Sequence, residues 1–196
     1  MDKKDIKAFF DRLAPVWDES CFHDPSKIET ILDYAGISAN VSVLDVACGT
    51  GVLFPFYLRR NVSRIVGIDL SGEMTTEAAK NFADPHIRLI TGDAETFAFE
   101  ESFDCCVVYS ALPHFEDPAN LIRHLSEALL PGGRLTVAHS ESRATIDGRH
   151  SDGAQAVSMG LLPEDELAAI MEPYLQVDVI RSDEQMYVVS GIRKTD

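Results

Sequence analysis

The chain has 196 residues and a formal net charge of −15, because 32 Asp and Glu residues outnumber 17 Lys and Arg residues. This length suits one domain with a sizeable core and excludes a separate substrate domain of ordinary size. The acidic charge argues against a nucleic-acid binder, which would carry a basic surface, and against electrostatic binding to an anionic membrane.

The chain shows no sign of a membrane span or of export. No stretch reaches the roughly 20 apolar residues that a transmembrane helix requires, and Met1–Asp5 is not followed by the apolar segment of a signal peptide. The four cysteines lack CxxC spacing, and the adjacent Cys105 and Cys106 lie in an apolar run, which indicates buried thiols in a reducing compartment. We therefore expect a cytoplasmic protein.

Short β-branched runs alternate with helical patterns through most of the chain. The predicted strands are Val41–Val46, Ile65–Asp69, Ile87–Thr91, Phe103–Tyr109 and Arg134–His139. The predicted helices before and between them are Ser26–Ala35, Val52–Arg60, Gly72–Phe82 and Pro118–Leu130. Ser26 and Ser71 are the expected N-caps of two of these helices. Such alternation indicates βαβ units and a parallel sheet with helices on both faces.

The pattern changes after the fifth strand. Residues Glu141–Gly160 are polar with little periodicity and are interpreted as a long loop or insertion near the substrate pocket, and a helix is predicted over Pro163–Met171. Two β-rich runs, Gln176–Arg181 and Gln185–Arg193, are too close together for a parallel crossover and predict an antiparallel hairpin. The predicted fold is a single α/β domain over residues 1–196, a Rossmann-like three-layer sandwich with a seven-stranded, mostly parallel sheet.

The turn after the first strand carries the most informative motif, Asp45-x-Ala47-x-Gly49-x-Gly51. Small residues let a ligand approach the backbone, and the following helix offers N–H donors. A dinucleotide fingerprint would need glycines at positions 47 and 52, which are Ala47 and Val52. Asp45 would repel a pyrophosphate but suits an ammonium group, so a free amino acid moiety fits. A tight turn without a ligand is the alternative.

Carboxylates also follow the second and third strands. Asp69 can accept hydrogen bonds from both ribose hydroxyls, with a surface or helix-capping role as the alternative. Asp93 can accept from an adenine amine while Ala94 supplies a backbone N–H, with an ordinary turn as the alternative. Ligands of open α/β sheets lie at the carboxyl ends of the strands, so Asp45, Asp69 and Asp93 together predict one site for a cationic nucleoside.

This pattern resembles the class I S-adenosylmethionine-dependent methyltransferases over Val41–His139. The resemblance implies S-adenosylmethionine as the cofactor and S-adenosylhomocysteine as its product. It implies the following cofactor-binding residues: Trp17, Asp45, Ala47, Gly49, Gly51, Asp69, Leu70, Met74, Asp93, Ala94 and Ser110.

The opening segment Phe10–Asp18 resembles that of a small-molecule group that includes the ubiquinone and menaquinone C-methyltransferases. In that group an aromatic residue helps to cover the cofactor, which here is Trp17, so residues 1–25 are expected to form a cap segment over the cofactor. Ala111–Phe115 stands where the quinone enzymes carry a different signature. The resemblance therefore implies a cofactor and a reaction type but no particular acceptor.

Methyl transfer requires an aligned nucleophile, and it requires a general base only when that nucleophile is protonated. His114 and His139 are the candidate catalytic residues, with packing or loop roles as the alternatives. A metal site from His114, His139 and His150 is unsupported by their spacing. We expect a methyltransferase for a small-molecule acceptor, monomeric or homodimeric, without nucleic-acid or membrane partners. The alternatives are an RNA or protein methyltransferase and a non-catalytic S-adenosylmethionine-binding protein.

Overall fold

The structure, a computed structural model, describes residues 2–152 and 157–195, with the backbone alone at 149–152. The strands in this part of the chain are β1 Ser42–Val46, β2 Arg64–Asp69, β3 Ile87–Thr91, β4 Phe103–Tyr109, β5 Leu129–His139, β6 Leu175–Ser182 and β7 Tyr187–Arg193. The helices are α1 Lys3–Leu13, α2 Trp17–Ser20, α3 Pro25–Tyr34, α4 Phe54–Arg59, α5 Gly72–Asn81, α6 Pro118–Glu127, α7 Arg143–Asp152 and α8 Glu164–Met171. Short 3₁₀ turns lie at Ala14–Val16 and Leu112–His114.

The strands form one sheet in the order β3-β2-β1-β4-β5-β7-β6. β1 to β5 are parallel, while β7 is antiparallel to both β5 and β6. The predicted seven-stranded sheet with its antiparallel hairpin is therefore confirmed. The strand order reverses between β1 and β4, and this switch point is where open α/β sheets bind their ligands. No helix in the described residues is both long and apolar enough to cross a membrane.

Apolar side chains cover both faces of the sheet. One layer contains α3, α4 and α5, and the other contains α6 and α8. Successive strand residues point to opposite faces, so Cys105 packs in the first layer and Cys106 in the second. Burial raises the pKa of the Cys105 thiol to about 12 and that of the Cys106 thiol well above its ordinary value. The expectation of buried strand thiols is confirmed, and neither thiol is a ready nucleophile.

The helix boundaries differ from their predictions by up to three residues. The N-cap of α3 is Asp24, whose carboxylate accepts a hydrogen bond from the Ser26 N–H at 2.9 Å, so the prediction that Ser26 caps this helix is wrong. Pro25 supplies the first helical residue, because its fixed φ suits that position. α6 ends at Glu127 and β5 begins at Leu129, whereas the helix was predicted to run to Leu130 and the strand to begin at Arg134. The prediction that Ser71 caps α5 is confirmed by the 3.1 Å bond from the Met74 N–H to its hydroxyl.

Part of the predicted long loop is helical. Residues Arg143–Asp152 form α7, so the interpretation of Glu141–Gly160 as a long loop is wrong for these residues, and the insertion alternative stays a prediction. Ser142 accepts a hydrogen bond from the Thr145 N–H at 3.2 Å, and Ile146 is buried in the α6–α8 layer. One buried apolar residue is too weak a signal to produce helical periodicity in the sequence.

Candidate active site

A cavity lies at the carboxyl ends of β1 to β4, with about 900 Å³ of empty space, part of it open to solvent. The predicted site residues that line it are Trp17, Ala47, Gly49, Asp69, Leu70, Met74, Asp93, Ala94, Ser110 and His114. The other lining residues are Lys3, Ile6, Phe10, His23, Cys48, Thr50, Val52, Ile68, Gly92, Glu95, Tyr109, Ala111 and Phe115. The structure thus brings together most residues that the sequence placed at one site.

The backbone at this edge adopts a conformation that L-residues avoid. Ala47 and Ser110 have φ values of +54° and +55°, and these residues follow the two strands on either side of the switch point. Gly49 and Gly51 continue the first turn with φ values of +55° and +90°. Left-handed non-glycine residues cost of order 1–3 kcal/mol each and cluster at functional sites. The turns are therefore shaped for a ligand at some expense of stability.

The side chain of Asp69 links the turn after β1 to the turn after β2. Its carboxylate accepts the N–H of Gly49 at 2.9 Å and the N–H of Ser71 at 2.8 Å. Burial raises the pKa of Asp69 to about 6, although these two N–H groups lower it, and the charge of Asp11 raises it further. Each carboxylate oxygen has a second lone pair, so both oxygens can still accept a ligand hydroxyl.

Asp45 lies behind the cavity wall and is 2% exposed. Burial raises the pKa of its carboxyl group well above the ordinary value, and the nearby charge of Asp69 adds to this. Its Oδ2 atom has no hydrogen-bond partner among the described residues. A buried carboxylate oxygen without a partner is costly, so its place beside the turn is consistent with a cationic ligand group.

Two predicted site residues lie elsewhere. Gly51 forms the far side of the turn, where a Cβ would come within 2.6 Å of the Phe54 ring. His139 is 1% exposed, its ring lies 6.1 Å from that of Tyr187, and it does not line the cavity. His150 lies outside the residues whose side chains are described. The described residues contain no cluster of three or more His, Cys, Asp or Glu side chains suited to a metal ion.

The cap segment (residues 1–25, described from residue 2) extends across the cavity. Near β3, the ammonium of Lys3 lies 2.6 Å from the carboxylate of Asp93 and 2.7 Å from that of Glu95. These two contacts hold the start of α1 against the turn after β3. Lys3 and Glu95 were not predicted as site residues, because a contact across 90 residues leaves no local pattern in the sequence.

Two further polar contacts tie the cap segment to the strand-end turns. Asp11 accepts a hydrogen bond from the Ser71 hydroxyl at 2.6 Å, at the start of α5. Asp18 accepts one from the Thr50 hydroxyl at 2.5 Å, in the glycine-containing turn. The cap segment is thus attached next to each of the turns after β1, β2 and β3.

Replacement of Ser71 by alanine should destabilise the protein by about 1–2 kcal/mol, because this hydroxyl both caps α5 and donates to Asp11. Urea denaturation measures the loss. Ser63→Ala serves as the matched control, because the exposed Ser63 hydroxyl bonds only the Val41 carbonyl among the described contacts. Equal stability losses in the two variants would contradict the dual role of Ser71.

His114 lies at the side of the cavity that borders the insertion. Its Nδ1 atom is 2.7 Å from the carbonyl oxygen of Val157, and its ring meets that of Phe10 edge to face at 5.0 Å. A carbonyl only accepts hydrogen bonds, so Nδ1 carries the proton and Nε2 has the lone pair in the neutral side chain. The N–H of Met159 donates to the carbonyl of Pro113 at 2.9 Å, so the end of the insertion packs beside His114.

Comparison with known proteins defines the class of this site. Residues 44–137 match the family model described as a methyltransferase domain. The chain is 33% identical over 135 residues to the ubiquinone biosynthesis O-methyltransferase of Hydrogenovibrio crunogenus, a match that covers 63% of this chain and 55% of that protein. It is 24% identical over 197 residues to malonyl-[acyl-carrier protein] O-methyltransferase 1 of Ilyobacter polytropus, covering 96% of this chain and 72% of the relative. The chain spans about half the length of the first of these relatives.

The fold agrees with these matches. The chain superposes with a TM-score of 0.76 and 17% identity on the N-methyltransferase NodS of Bradyrhizobium japonicum, solved with S-adenosylhomocysteine, over 97% of this chain and 99% of that one. The fold is therefore that of the Rossmann-like methyltransferase structures. The predicted resemblance to the class I S-adenosylmethionine-dependent methyltransferases, and to their ubiquinone-pathway members, is confirmed.

Proposed function

We propose that this chain transfers the methyl group of S-adenosylmethionine to a small-molecule acceptor. The observation that supports this most is the pair of carboxylates at neighbouring strand ends, Asp69 and Asp93, that line one cavity, with Asp45 buried on the adjacent β1. S-adenosylmethionine is a cationic nucleoside with a free amino acid end. An acidic site with a turn of small residues complements each of those parts.

The described residues fit this cofactor. The partnerless oxygen of Asp45 suits the ammonium group, the carboxylate of Asp69 suits the ribose hydroxyls, and Asp93 with Ala94 suits the adenine. A Cβ at Gly49 would meet no atom within 4 Å, so the backbone there is open to a ligand. Trp17, Leu70, Met74 and Ser110 would complete the contacts. The bound cofactor supplies an electrophilic methyl group on a sulfonium centre.

The chain's own contribution is to orient the acceptor, exclude water and remove a proton. Residues of the cap segment line the cavity and cover it, which favours orientation of the acceptor and exclusion of water. Nε2 of His114 would accept the proton of a protonated acceptor. His139 is not carried into this mechanism, because it is buried and does not line the cavity.

Several features support a neutral hydroxyl as the accepting group. The cavity is lined by Asp69, Asp93 and Glu95, so an anionic acceptor would be repelled. One curated relative is named as an O-methyltransferase of ubiquinone biosynthesis, which supports oxygen as the accepting atom. We place the reaction in the cytoplasm, with the protein acting as a monomer or homodimer and without nucleic-acid or membrane partners.

Formation of S-adenosylhomocysteine tests the function. Purified protein is incubated with S-adenosylmethionine and catechol, phenol, benzoate or aniline, or with a cell metabolite extract. Product is expected with catechol or the extract and not with benzoate. Turnover only with added RNA or protein would favour those acceptors instead. Binding of S-adenosylmethionine with no turnover on any addition would indicate a non-catalytic binding protein.

His114→Asn should lower kcat by about 100-fold or more while leaving the affinity for S-adenosylhomocysteine within twofold, because it removes the base but not a cofactor contact. Turnover and calorimetry measure the two effects. The matched control is His124→Asn, since His124 bonds the Phe97 carbonyl and does not line the cavity. A parallel loss of turnover and affinity would mean that His114 has a structural role.

A further inference from the structure

We propose that His23, in its protonated form, binds the α-carboxylate of the cofactor's amino acid end, with Tyr109 positioning its ring. This inference rests on the proposed function, because it assigns a partner to a group of S-adenosylmethionine. It makes cofactor affinity depend on the protonation of one side chain in the cap segment.

The charge pattern of the cavity requires such a partner. Acidic side chains are available for the ammonium, the ribose and the adenine, but the α-carboxylate would face an acidic site. The basic side chains that line the cavity are Lys3, His23 and His114. Lys3 is paired with carboxylates at the turn after β3, and His114 faces the insertion through Val157.

His23 lies at the correct end of the cavity. It lines the main cavity together with residues of the turn after β1, and it also lines a second, more open pocket beside that turn. Thr50 and Val52 line both pockets as well. His23 therefore shares both pockets with residues of the turn where the amino acid end of the cofactor is proposed to lie.

A chain of hydrogen bonds fixes which nitrogen of His23 faces its neighbours. Its Nδ1 atom is 2.9 Å from the hydroxyl of Tyr109, and that hydroxyl donates to the hydroxyl of Ser140 at 2.8 Å. Since the Tyr109 proton goes to Ser140, its oxygen accepts from Nδ1–H. Burial raises the pKa of Tyr109 to about 12, so the phenol stays neutral and keeps this role.

Protonation then changes Nε2 alone. In the neutral ring Nε2 carries a lone pair, which would repel a carboxylate, whereas in the imidazolium it is a charged donor. Charged groups from several elements surround this chain of hydrogen bonds. The charges of Glu141 and Asp24 also raise the pKa of Tyr109. Lys27 of α3 donates to the Ser140 carbonyl at 3.1 Å, and Asp18 lines the adjoining pocket.

Calorimetry with two ligands tests the assignment without any acceptor. S-adenosylhomocysteine carries the α-carboxylate, and 5′-methylthioadenosine lacks the amino acid end. For the native protein, affinity for S-adenosylhomocysteine should rise as the pH falls from 8.5 to 6.5, the range in which histidine side chains ordinarily protonate, while affinity for 5′-methylthioadenosine stays level.

His23→Ala should weaken S-adenosylhomocysteine roughly tenfold to 100-fold at pH 6.5, abolish the pH dependence and leave 5′-methylthioadenosine within twofold. His23→Gln keeps a neutral donor, so it should retain part of the affinity and none of the pH dependence. Tyr109→Phe should weaken the binding of S-adenosylhomocysteine less than His23→Ala does. The matched control is His86→Gln, because His86 is exposed beside Asp84 and does not line the cavity.

Equal weakening of both ligands by His23→Ala, or an unchanged affinity for S-adenosylhomocysteine, would overturn the assignment. These outcomes differ from failure of the proposed function, which shows as absence of turnover with intact binding. A native protein that binds neither ligand would overturn both proposals.

Discussion

Asp69→Ala should reduce the affinity for S-adenosylhomocysteine by roughly 100-fold or more. Two hydrogen bonds from ribose hydroxyls to a carboxylate are worth about 1.5–3 kcal/mol each. The substitution also frees the N–H groups of Gly49 and Ser71, which Asp69 holds in place. Because the lost hydrogen bonds are to the ribose, which both ligands carry, calorimetry should show that Asp69→Ala weakens 5′-methylthioadenosine to a similar extent. His23→Ala, in contrast, should leave the affinity for 5′-methylthioadenosine almost unchanged.

The pH dependence gives a second readout of Asp69. Its pKa is raised from 3.8 to about 6 by burial, so the folded protein takes up this proton before the unfolded chain does. Stability therefore gains from this group as the pH falls from about 6 to about 4, while ligand affinity falls over the same range because the carboxyl loses its charge. Asp69→Asn should remove this contribution to the pH dependence of stability and to the pH dependence of ligand affinity. Asp84→Ala, in an exposed turn, is the control. Unchanged ligand affinity in Asp69→Ala would contradict the assignment of Asp69 to the ribose.

Gly49→Ala should mainly weaken ligand binding and Gly51→Ala should mainly lower stability, although the two positions are only two residues apart. A Cβ at Gly49 meets nothing within 4 Å and extends into open space beside the cavity. We expect Gly49→Ala to lose about 1 kcal/mol of stability from its positive φ, but to weaken S-adenosylhomocysteine at least tenfold because the methyl group occupies ligand space.

Gly51→Ala should instead lower stability by about 2–4 kcal/mol. Its φ is +90°, and the new Cβ would come within 2.6 Å of the Phe54 ring and 2.9 Å of the Phe82 ring, so the core must shift. Thermal denaturation and calorimetry separate the two variants. Gly132→Ala is the matched control for Gly49→Ala, because it shares a positive φ and open space but lies before the middle of β5. Normal ligand affinity in a folded Gly49→Ala protein would contradict the proposed position of the cofactor.

The sequence predicted those elements whose signals are local. Short runs rich in apolar and β-branched residues gave β3 and β4 with their observed bounds. β4 is buried at almost every residue, whereas β3 lies at the sheet edge with Arg88 and Thr91 exposed. The short link after β6 predicted the antiparallel hairpin, because it is too short for a parallel crossover. The strand-end carboxylates were found for the same reason, since each directly follows its strand.

Elements and contacts that depend on distant partners were not predictable in this way. α7 has one buried apolar side chain, Ile146, and therefore no stripe to detect. Lys3 reaches Asp93 across 90 residues, and His23 reaches Tyr109 across 86. The fold alone brings such pairs together, so the sequence predicted where the cofactor residues lie better than how the cap segment meets them.

The strand order has a consequence for how this protein is made. β6 precedes β7 in the chain, yet β7 lies between β5 and β6, so β6 joins the sheet only through β7. A growing polypeptide can assemble β1 to β5 and their helices as synthesis proceeds, but β6 must wait for the strand that follows it. Until β7 emerges, the edge of β5 lacks its partner strand, and an unpaired strand edge is a place where a nascent protein can aggregate.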